Sequence, residues 1–145
     1  MTSGRDRQRS RVYAWEQAHV APHGATLVPF GAAQGMVDAI WSDMGLRYPP
    51  RVEPLPGQAT TLLASATRLS IRLPDATPSW VLLHELAHAM AATHDGQSDG
   101  HGPRFVGLYA GLLERYMRLP GTTLLRSLRE ARIPVDADAR PVFLD

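Results

Sequence analysis

Apolar residues recur every three or four positions in four stretches of the chain, and this period predicts amphipathic α-helices. A further stretch, residues 78–93, is apolar nearly all round and predicts a mostly buried helix. The predicted helices cover residues 5–20, 32–44, 78–93, 103–119 and 122–131. Gly45 and Pro120-Gly121 supply stop signals. Thr77-Pro78 offers an N-cap and a first-turn proline for the helix at 78–93.

The segment between the second and third helices indicates strands. Residues 67–73 alternate apolar and polar positions, which is typical of a strand with one face in water. The two sets are Leu69, Ile71 and Leu73 against Arg68, Ser70 and Arg72. Residues 60–64 form a second candidate strand, joined to the first by a hairpin around residues 64–66, and the proline-rich residues 48–57 must form a loop or a short edge element. We therefore expect an α+β fold with a short antiparallel or mixed sheet of about three strands packed on the third helix.

The composition indicates one globular domain. The length of 145 residues suits a single core, although residues 136–145 carry no strong pattern and are expected to form a loosely specified tail. The chain has no cysteine, which excludes disulfides, thiolate zinc sites and cysteine nucleophiles. No stretch approaches the roughly 20 apolar residues of a membrane span, and the arginine-rich N-terminus lacks the apolar centre of a secretory signal. We expect a cytoplasmic protein with no membrane partner.

The charge pattern gives little support for a nucleic-acid partner. The formal net charge is only +1, which argues against a large nucleic-acid footprint. Four arginines near the N-terminus, Arg5, Arg7, Arg9 and Arg11, form a basic patch. This patch is either the solvated face of the first helix or a phosphate-binding arm.

The strongest chemical signal is the motif His84-Glu85-Leu86-Ala87-His88. Residues four apart on an α-helix are separated by about 40° around the axis, so both imidazoles point the same way and can hold one Zn²⁺. Glu85 lies about 100° from His84. From there it can reach a water on the metal rather than the metal itself. The motif predicts a metal site with Glu85 as the catalytic residue.

A catalytic zinc site needs a third protein ligand, and three downstream residues are candidates. His94 has the spacing of the longer HExxHxxGxxH motif, but Ala91 replaces its glycine. On a straight helix His94 would lie about 120° round from His88 and point away. Glu114 would suit a His-His-Glu site but also fits a surface ion pair. His101 is favoured, because the glycine-rich loop before it can turn the chain back toward the motif.

The sequence HELAH followed by HGPRF resembles the SprT-like zinc metallopeptidases, in which HExxH, a loop and an HGxxF-type segment follow one another. The resemblance covers residues 80–117. It implies a small zincin-like domain in which His84, His88 and His101 bind zinc. It also implies that Glu85 is catalytic. The segment RDRQRSRVY with HELAH is similar to an uncharacterised bacterial family of short metallohydrolases. Cysteine ribbons and DNA-directed modules, which are common in SprT-like proteins, are not found in this sequence.

The expected activity is hydrolysis of a peptide bond. Glu85 would take a proton from a water whose pKa zinc lowers, and would deliver it to the leaving amine. The oxyanion needs a further donor; Tyr109, Arg104 and Tyr116 are candidates, although Tyr109 also fits the core. In zincin-like folds a strand such as residues 67–73 often borders the cleft, where an extended peptide can pair with it.

Two other functions remain open from the sequence. A zinc hydrolase acting on RNA or a small amide would draw on the basic patch. A non-catalytic, zinc-stabilised binding module would have a closed site. The ligands would also accept Mn²⁺, Fe²⁺ or Ni²⁺. We expect His19 and His23 to be helix-end and turn residues rather than ligands. Trp15, Trp41 and Trp80 are expected to anchor the core.

Overall fold

A computed structural model of the chain describes residues 4–24, 26–56 and 64–143, with side chains from residue 8 onward. The helices are α1 (Gly4–His19), α2 (Phe30–Asp43), α3 (Ser79–Met90), α4 (Pro103–Met117) and α5 (Gly121–Glu130), and a 3₁₀ turn, Ala21–His23, follows α1. The strands are β1 (Leu27–Pro29), β2 (Arg51–Pro54), β3 (Ser65–Ala66), β4 (Ser70–Leu73) and β5 (Ala76–Pro78). The α+β class is confirmed. No helix in the described part is long and apolar enough to cross a membrane.

The strands form two small sheets. In one, β4 lies between β2 and β3, parallel to β2 and antiparallel to β3. This is a mixed sheet of three strands, as predicted, and β2 is the short edge element expected in residues 48–57. In the other, β1 pairs with β5 in antiparallel register, with Val28 opposite Thr77. The sequence does not predict this pair, because each strand has only three residues and shows no readable alternation.

Helix α3 lies in the core because its apolar residues surround it. Its buried residues are Leu82, Leu83, His84, Glu85, Leu86, Ala87, Ala89 and Met90. Helix α4 packs along it, and β3, β4 and β5 also contact it. Trp15 and Trp41 are buried and Trp80 packs against the core, as predicted. Burying one leucine contributes about 1.5–3 kcal/mol, so this packing holds α3 and the functional residues on it in place.

Helix α3 is shorter at both ends than the predicted span. Thr77 and Pro78 belong to β5, and no side chain caps the helix. The predicted N-cap is wrong because pairing with β1 holds this dipeptide extended. After Met90, the hydroxyl of Thr93 accepts a hydrogen bond from the N–H of Gln97 at 2.9 Å, and the N–H of Thr93 donates to the carbonyl of Gln97 at 2.8 Å. These bonds form a loop where the sequence predicts more helix.

The alternation predicted for residues 67–73 holds in β4 but fails before it. Leu69 is 52% exposed and Arg68 only 7%, the reverse of the prediction. The cause is a turn in which the hydroxyl of Thr67 accepts hydrogen bonds from the N–H groups of Leu69 and Ser70, at 3.2 and 3.1 Å. The β3–β4 hairpin therefore turns at residues 67–69 and not at 64–66. Residues 60–63 of the other predicted strand lie outside the described residues.

Residues 136–143, for which we expected a loosely specified tail, lie against the core. The N–H of Val142 donates to the carbonyl of Met90 at 3.1 Å. Phe143 stacks on Trp41 with ring centroids 5.6 Å apart. The guanidinium carbon of Arg68 lies 4.2 Å from the Phe143 ring centroid and 4.9 Å from the Trp41 ring. These cation–π contacts offset the cost of burying Arg68.

Candidate metal centre

Helix α3 brings two imidazoles of the motif together. His84 and His88 are one turn apart and lie on the same side of the helix. Their Nε2 atoms are 3.1 Å apart. His84 is 5% exposed, and Glu85 beside it is 7% exposed. Because the other faces of the helix pack against α4 and the strands, the two rings are held close to each other and to the carboxylate.

A capped helix start places His101 beside them. Asp99 accepts hydrogen bonds from the N–H groups of Arg104 at 2.7 Å and of Phe105 at 3.3 Å, which satisfies the first turn of α4. A side chain at Gly102 would lie 2.7 Å from the Asp99 carboxylate, so glycine permits this close approach. The loop before α4 is thereby fixed with His101 directed at α3.

The three histidines converge on one point. Ligand nitrogens of His84, His88 and His101 all lie within 4.8 Å of one another. Zinc binds histidine nitrogen at about 2.0–2.1 Å in tetrahedral geometry, which separates ligand nitrogens by about 3.3 Å. The 3.1 Å between the Nε2 atoms of His84 and His88 is close to this value. The cluster could therefore hold a divalent metal ion.

The other histidines and Glu114 lie elsewhere. Of the three candidates for a third ligand, only His101 is in the cluster. His94 is exposed in the loop beyond α3, and Glu114 is exposed on α4. His19 ends α1 and His23 ends the 3₁₀ turn, both exposed, as predicted. His94 lies outside the cluster because α3 ends at Met90 and the chain continues as a loop, and a straight continuation of the helix would also have directed it away from His88.

A buried carboxylate that the sequence analysis did not identify supports the cluster. Glu16, on α1, is 2% exposed. Its Oε2 lies 2.6 Å from Nδ1 of His84 and accepts a hydrogen bond from the hydroxyl of Tyr109 at 2.6 Å. When Nδ1 donates to this carboxylate, Nε2 of His84 keeps its lone pair on the side facing His88. Such a partner fixes the tautomer and orientation of a metal-binding histidine.

The sequence does contain a signal for Glu16. It lies four residues after Val12 and next to Trp15, both of which are buried. A carboxylate on a buried helix face costs several kcal/mol unless it is paired, so its place in the apolar stripe indicates a partner. The partner itself was not predictable, because His84 lies 68 positions away.

Burial and neighbouring charges change the acidity of the motif. Burial raises the pKa of Glu85 from 4.5 to about 7, opposed by the charge of His84 and reinforced by that of Glu16. Burial alone would lower the pKa of His84. The hydrogen bond and charge of Glu16, with the charge of Glu85, outweigh burial and raise that pKa. A carboxyl group with a pKa near 7 can both accept and release a proton at neutral pH.

A pocket of about 390 Å³ opens beside the cluster. Glu85 and the three histidines line it, together with Arg9 and Tyr13 of α1, Ser65 and Ala66 of β3, and the loop before α4. The carboxyl group of Glu85 and the three imidazoles therefore face one accessible space. A small substrate group could enter it.

The three predicted oxyanion donors are not among the described residues that line this pocket. Tyr109 is 1% exposed and its hydroxyl is bonded to the buried carboxylate of α1. The hydroxyl of Tyr116 donates to an aspartate of α2. Arg104 is exposed on α4. From α1, Tyr13 and Arg9 line the pocket; the sequence analysis placed Arg9 only in the basic patch and did not select Tyr13 as a site residue.

The strand beside the pocket is β3 and not the predicted strand at 67–73. Because β4 lies between β2 and β3, both of its edges are already paired. Among the residues that the structure describes, β3 is the edge strand on the pocket side, and its residues Ser65 and Ala66 line the pocket.

Comparison of the chain with protein-family models, with curated proteins and with solved structures gave no match.

Proposed function

We propose that this protein is a zinc-dependent metallohydrolase that cleaves peptide bonds. The observation that carries the proposal is the convergence of His84, His88 and His101 beside the buried carboxyl group of Glu85 in an open pocket. Three protein ligands with an accessible position are typical of catalytic zinc sites, whereas structural sites have four ligands and are closed. This difference favours an enzyme over a zinc-stabilised binding module.

Zinc held by the three histidines would act as a Lewis acid toward water and toward the substrate carbonyl. Glu85 is the general base in this proposal. It accepts one proton from the attacking water as the water oxygen bonds to the carbonyl carbon. It then delivers that proton to the amide nitrogen as the C–N bond breaks, which yields a carboxylic acid and an amine. In this role Glu85 acts from a position beside the cluster, where its carboxyl group lines the pocket.

Two features favour a peptide substrate. The edge strand β3 borders the pocket, and an extended peptide can pair with such an edge through its backbone. The resemblance of HELAH and HGPRF to SprT-like metallopeptidases points the same way. An HExxH helix against a mixed sheet, with helices before and after it, also supports a zincin-like domain. A cytoplasmic location is part of this proposal.

A phosphodiester substrate is the second candidate, because Arg9 contributes a guanidinium group to the pocket. The other arginines of the basic patch add little support for a phosphodiester substrate. Arg11 donates to the carbonyl of Arg132, and the side chains of Arg5 and Arg7 lie outside those described. One cation at the pocket is a small footprint for a nucleic-acid backbone, so we favour the peptide.

The test is cleavage of a defined peptide library by the zinc-loaded protein and its Glu85→Gln variant, with new termini identified by mass spectrometry. We expect the wild type to cleave, and Glu85→Gln to keep its zinc but lose at least about 100-fold in rate. His94→Ala is the matched control and should leave both properties unchanged. Equal cleavage by the wild type and Glu85→Gln would reject the mechanism. Cleavage of RNA without cleavage of peptides would favour the second candidate.

A further inference from the structure

Hydrolysis of a peptide bond develops negative charge on the carbonyl oxygen, and one positioned hydrogen-bond donor there is worth about 10²–10³ in rate. We infer that Tyr13 is the catalytic residue that donates this hydrogen bond, an inference that rests on the proposed function. It draws on three observations: the place of Tyr13 on α1, its contacts with the histidine cluster, and its hydrogen bond with Arg9.

The helical period directs Tyr13 into the pocket. Val12 and Trp15 are 1% and 3% exposed and face the core. Tyr13 lies about 100° round the helix from Val12. It is 40% exposed and lines the pocket. Its phenol is therefore accessible to a ligand, whereas Val12, Trp15 and Glu16 on the same helix are buried.

The ring of Tyr13 lies against two of the three histidines. Its centroid is 5.4 Å from that of His101, with the ring planes at 75°, and 6.0 Å from that of His84. Contacts at these distances are typical of packed aromatic pairs. The tyrosine is thus positioned by the same side chains that would hold the metal, next to the place where a substrate carbonyl would react.

Arg9 lies one helical turn before Tyr13 and determines whether the Tyr13 hydroxyl group can donate a hydrogen bond to a substrate. Its Nε donates to the hydroxyl oxygen of Tyr13 at 3.3 Å, and its guanidinium carbon lies 5.3 Å from the ring centroid. Arginine has donors and no acceptor. The hydroxyl oxygen must therefore accept in this pair, and its hydrogen is left for a different acceptor. The nearby positive charge also strengthens the O–H group as a donor.

Other hydroxyl groups near the site are less suitable. Tyr109 is buried and already donates to Glu16. Ser65 and Ser98 also line the pocket, but both carry aliphatic hydroxyl groups. A phenol is more acidic than an aliphatic hydroxyl and is the stronger donor toward an anion. Tyr13 combines that chemistry with contact to the cluster.

The experiment compares Tyr13→Phe, which removes only the hydroxyl, with Tyr48→Phe, the same change at a tyrosine that is 66% exposed. We expect Tyr13→Phe to lower kcat by about 10²–10³ with KM changed less than about threefold. Zinc affinity should not change. Tyr48→Phe should match the wild type. Arg9→Met should lower kcat by a smaller factor, because the phenol remains.

A binding measurement keeps this inference separate from the proposed function. Acetohydroxamate is titrated into the cobalt-loaded proteins and followed by visible absorption, since it presents an anionic oxygen beside the metal. Tyr13→Phe should weaken its binding on the order of tenfold. Unchanged acetohydroxamate binding would overturn the role of Tyr13, even if no peptide is cleaved by the wild type. A parallel loss of metal affinity would also overturn it, because the effect would then be structural.

Discussion

Glu16 and His84 stand 68 positions apart in the chain and share a hydrogen bond of 2.6 Å between carboxylate and Nδ1. The bond joins α1 to α3, the helix that carries His84 and His88, inside the core. The same carboxylate oxygen is bonded to Tyr109 of α4. Three helices therefore contribute to the orientation of one imidazole. The tautomer and orientation of His84 depend on the packing of α1 against α3.

Replacing Glu16 by glutamine should weaken zinc binding by about 10–100-fold, the usual effect of losing an outer-shell partner of a metal ligand. The amide preserves the size of the side chain but removes its charge. Affinity is measured by competition with a chromophoric chelator. Gln17→Ala, at the next and exposed position, is the control and should bind zinc like the wild type. If Glu16→Gln bound zinc as tightly as the wild type, Glu16 would not support His84 as a metal ligand.

Removing His101 should abolish tight metal binding, whereas removing His94 should not. His101→Ala leaves two of the three nitrogens of the cluster, and we expect affinity to fall more than about 100-fold, beyond an outer-shell effect. His94→Ala removes an exposed imidazole outside the cluster. Metal content after dialysis and chelator competition both report the difference. If the two variants behaved alike, His101 would not be the third ligand.

Burial of Glu85 should make the metal-free protein less stable as the pH rises. The folded pKa of about 7 lies above the ordinary value of 4.5, so between these values the unfolded chain releases a proton that the folded chain retains. Stability falls through this window and levels off above pH 7. From pH 5 to pH 8 the loss due to Glu85 is about 2–3 kcal/mol.

Urea unfolding of the metal-free wild type and Glu85→Gln at pH 5 and pH 8 checks this prediction. Glutamine cannot ionise, so Glu85→Gln should not lose this stability. The free energy of unfolding of Glu85→Gln minus that of the wild type should therefore be about 2–3 kcal/mol larger at pH 8 than at pH 5. A constant difference between the two proteins would mean that the carboxyl group titrates normally in the fold.

Replacing Phe143 by alanine should destabilise the protein by about 1–3 kcal/mol, because it removes a ring stacked on Trp41 and covering Arg68. Leu69→Ala should change stability by less than about 0.5 kcal/mol, because Leu69 is 52% exposed. Thermal and urea unfolding measure both. If Leu69→Ala destabilised the protein more than Phe143→Ala, Leu69 would be buried as the alternating pattern predicts, and the observed turn would be contradicted.

Local pattern was enough to predict the helices and the histidine cluster. The period of three to four residues located four of the five described α-helices, and the nearly all-round apolar run at 78–93 located the other. His101 followed from the glycine-rich loop before it. The turn at Thr67 was missed because one side-chain oxygen binds two backbone N–H groups, which outweighs an alternating pattern. Glu16 and Tyr13 were missed because their partners come from distant parts of the chain. The hydrophobic period identifies which residues share one face of a helix, but it does not identify the residues that pack against that face.

Helix α3 is buried over most of its surface and meets solvent at the pocket, so the residues proposed for chemistry are also part of what keeps the protein folded. Mutations along this helix would alter activity and solubility together, and selection for a new substrate would find few acceptable changes there. The accessible variation lies in the two elements that border the opening, the first helix and the edge strand. A library aimed at altered specificity should diversify those surfaces and leave the central helix intact.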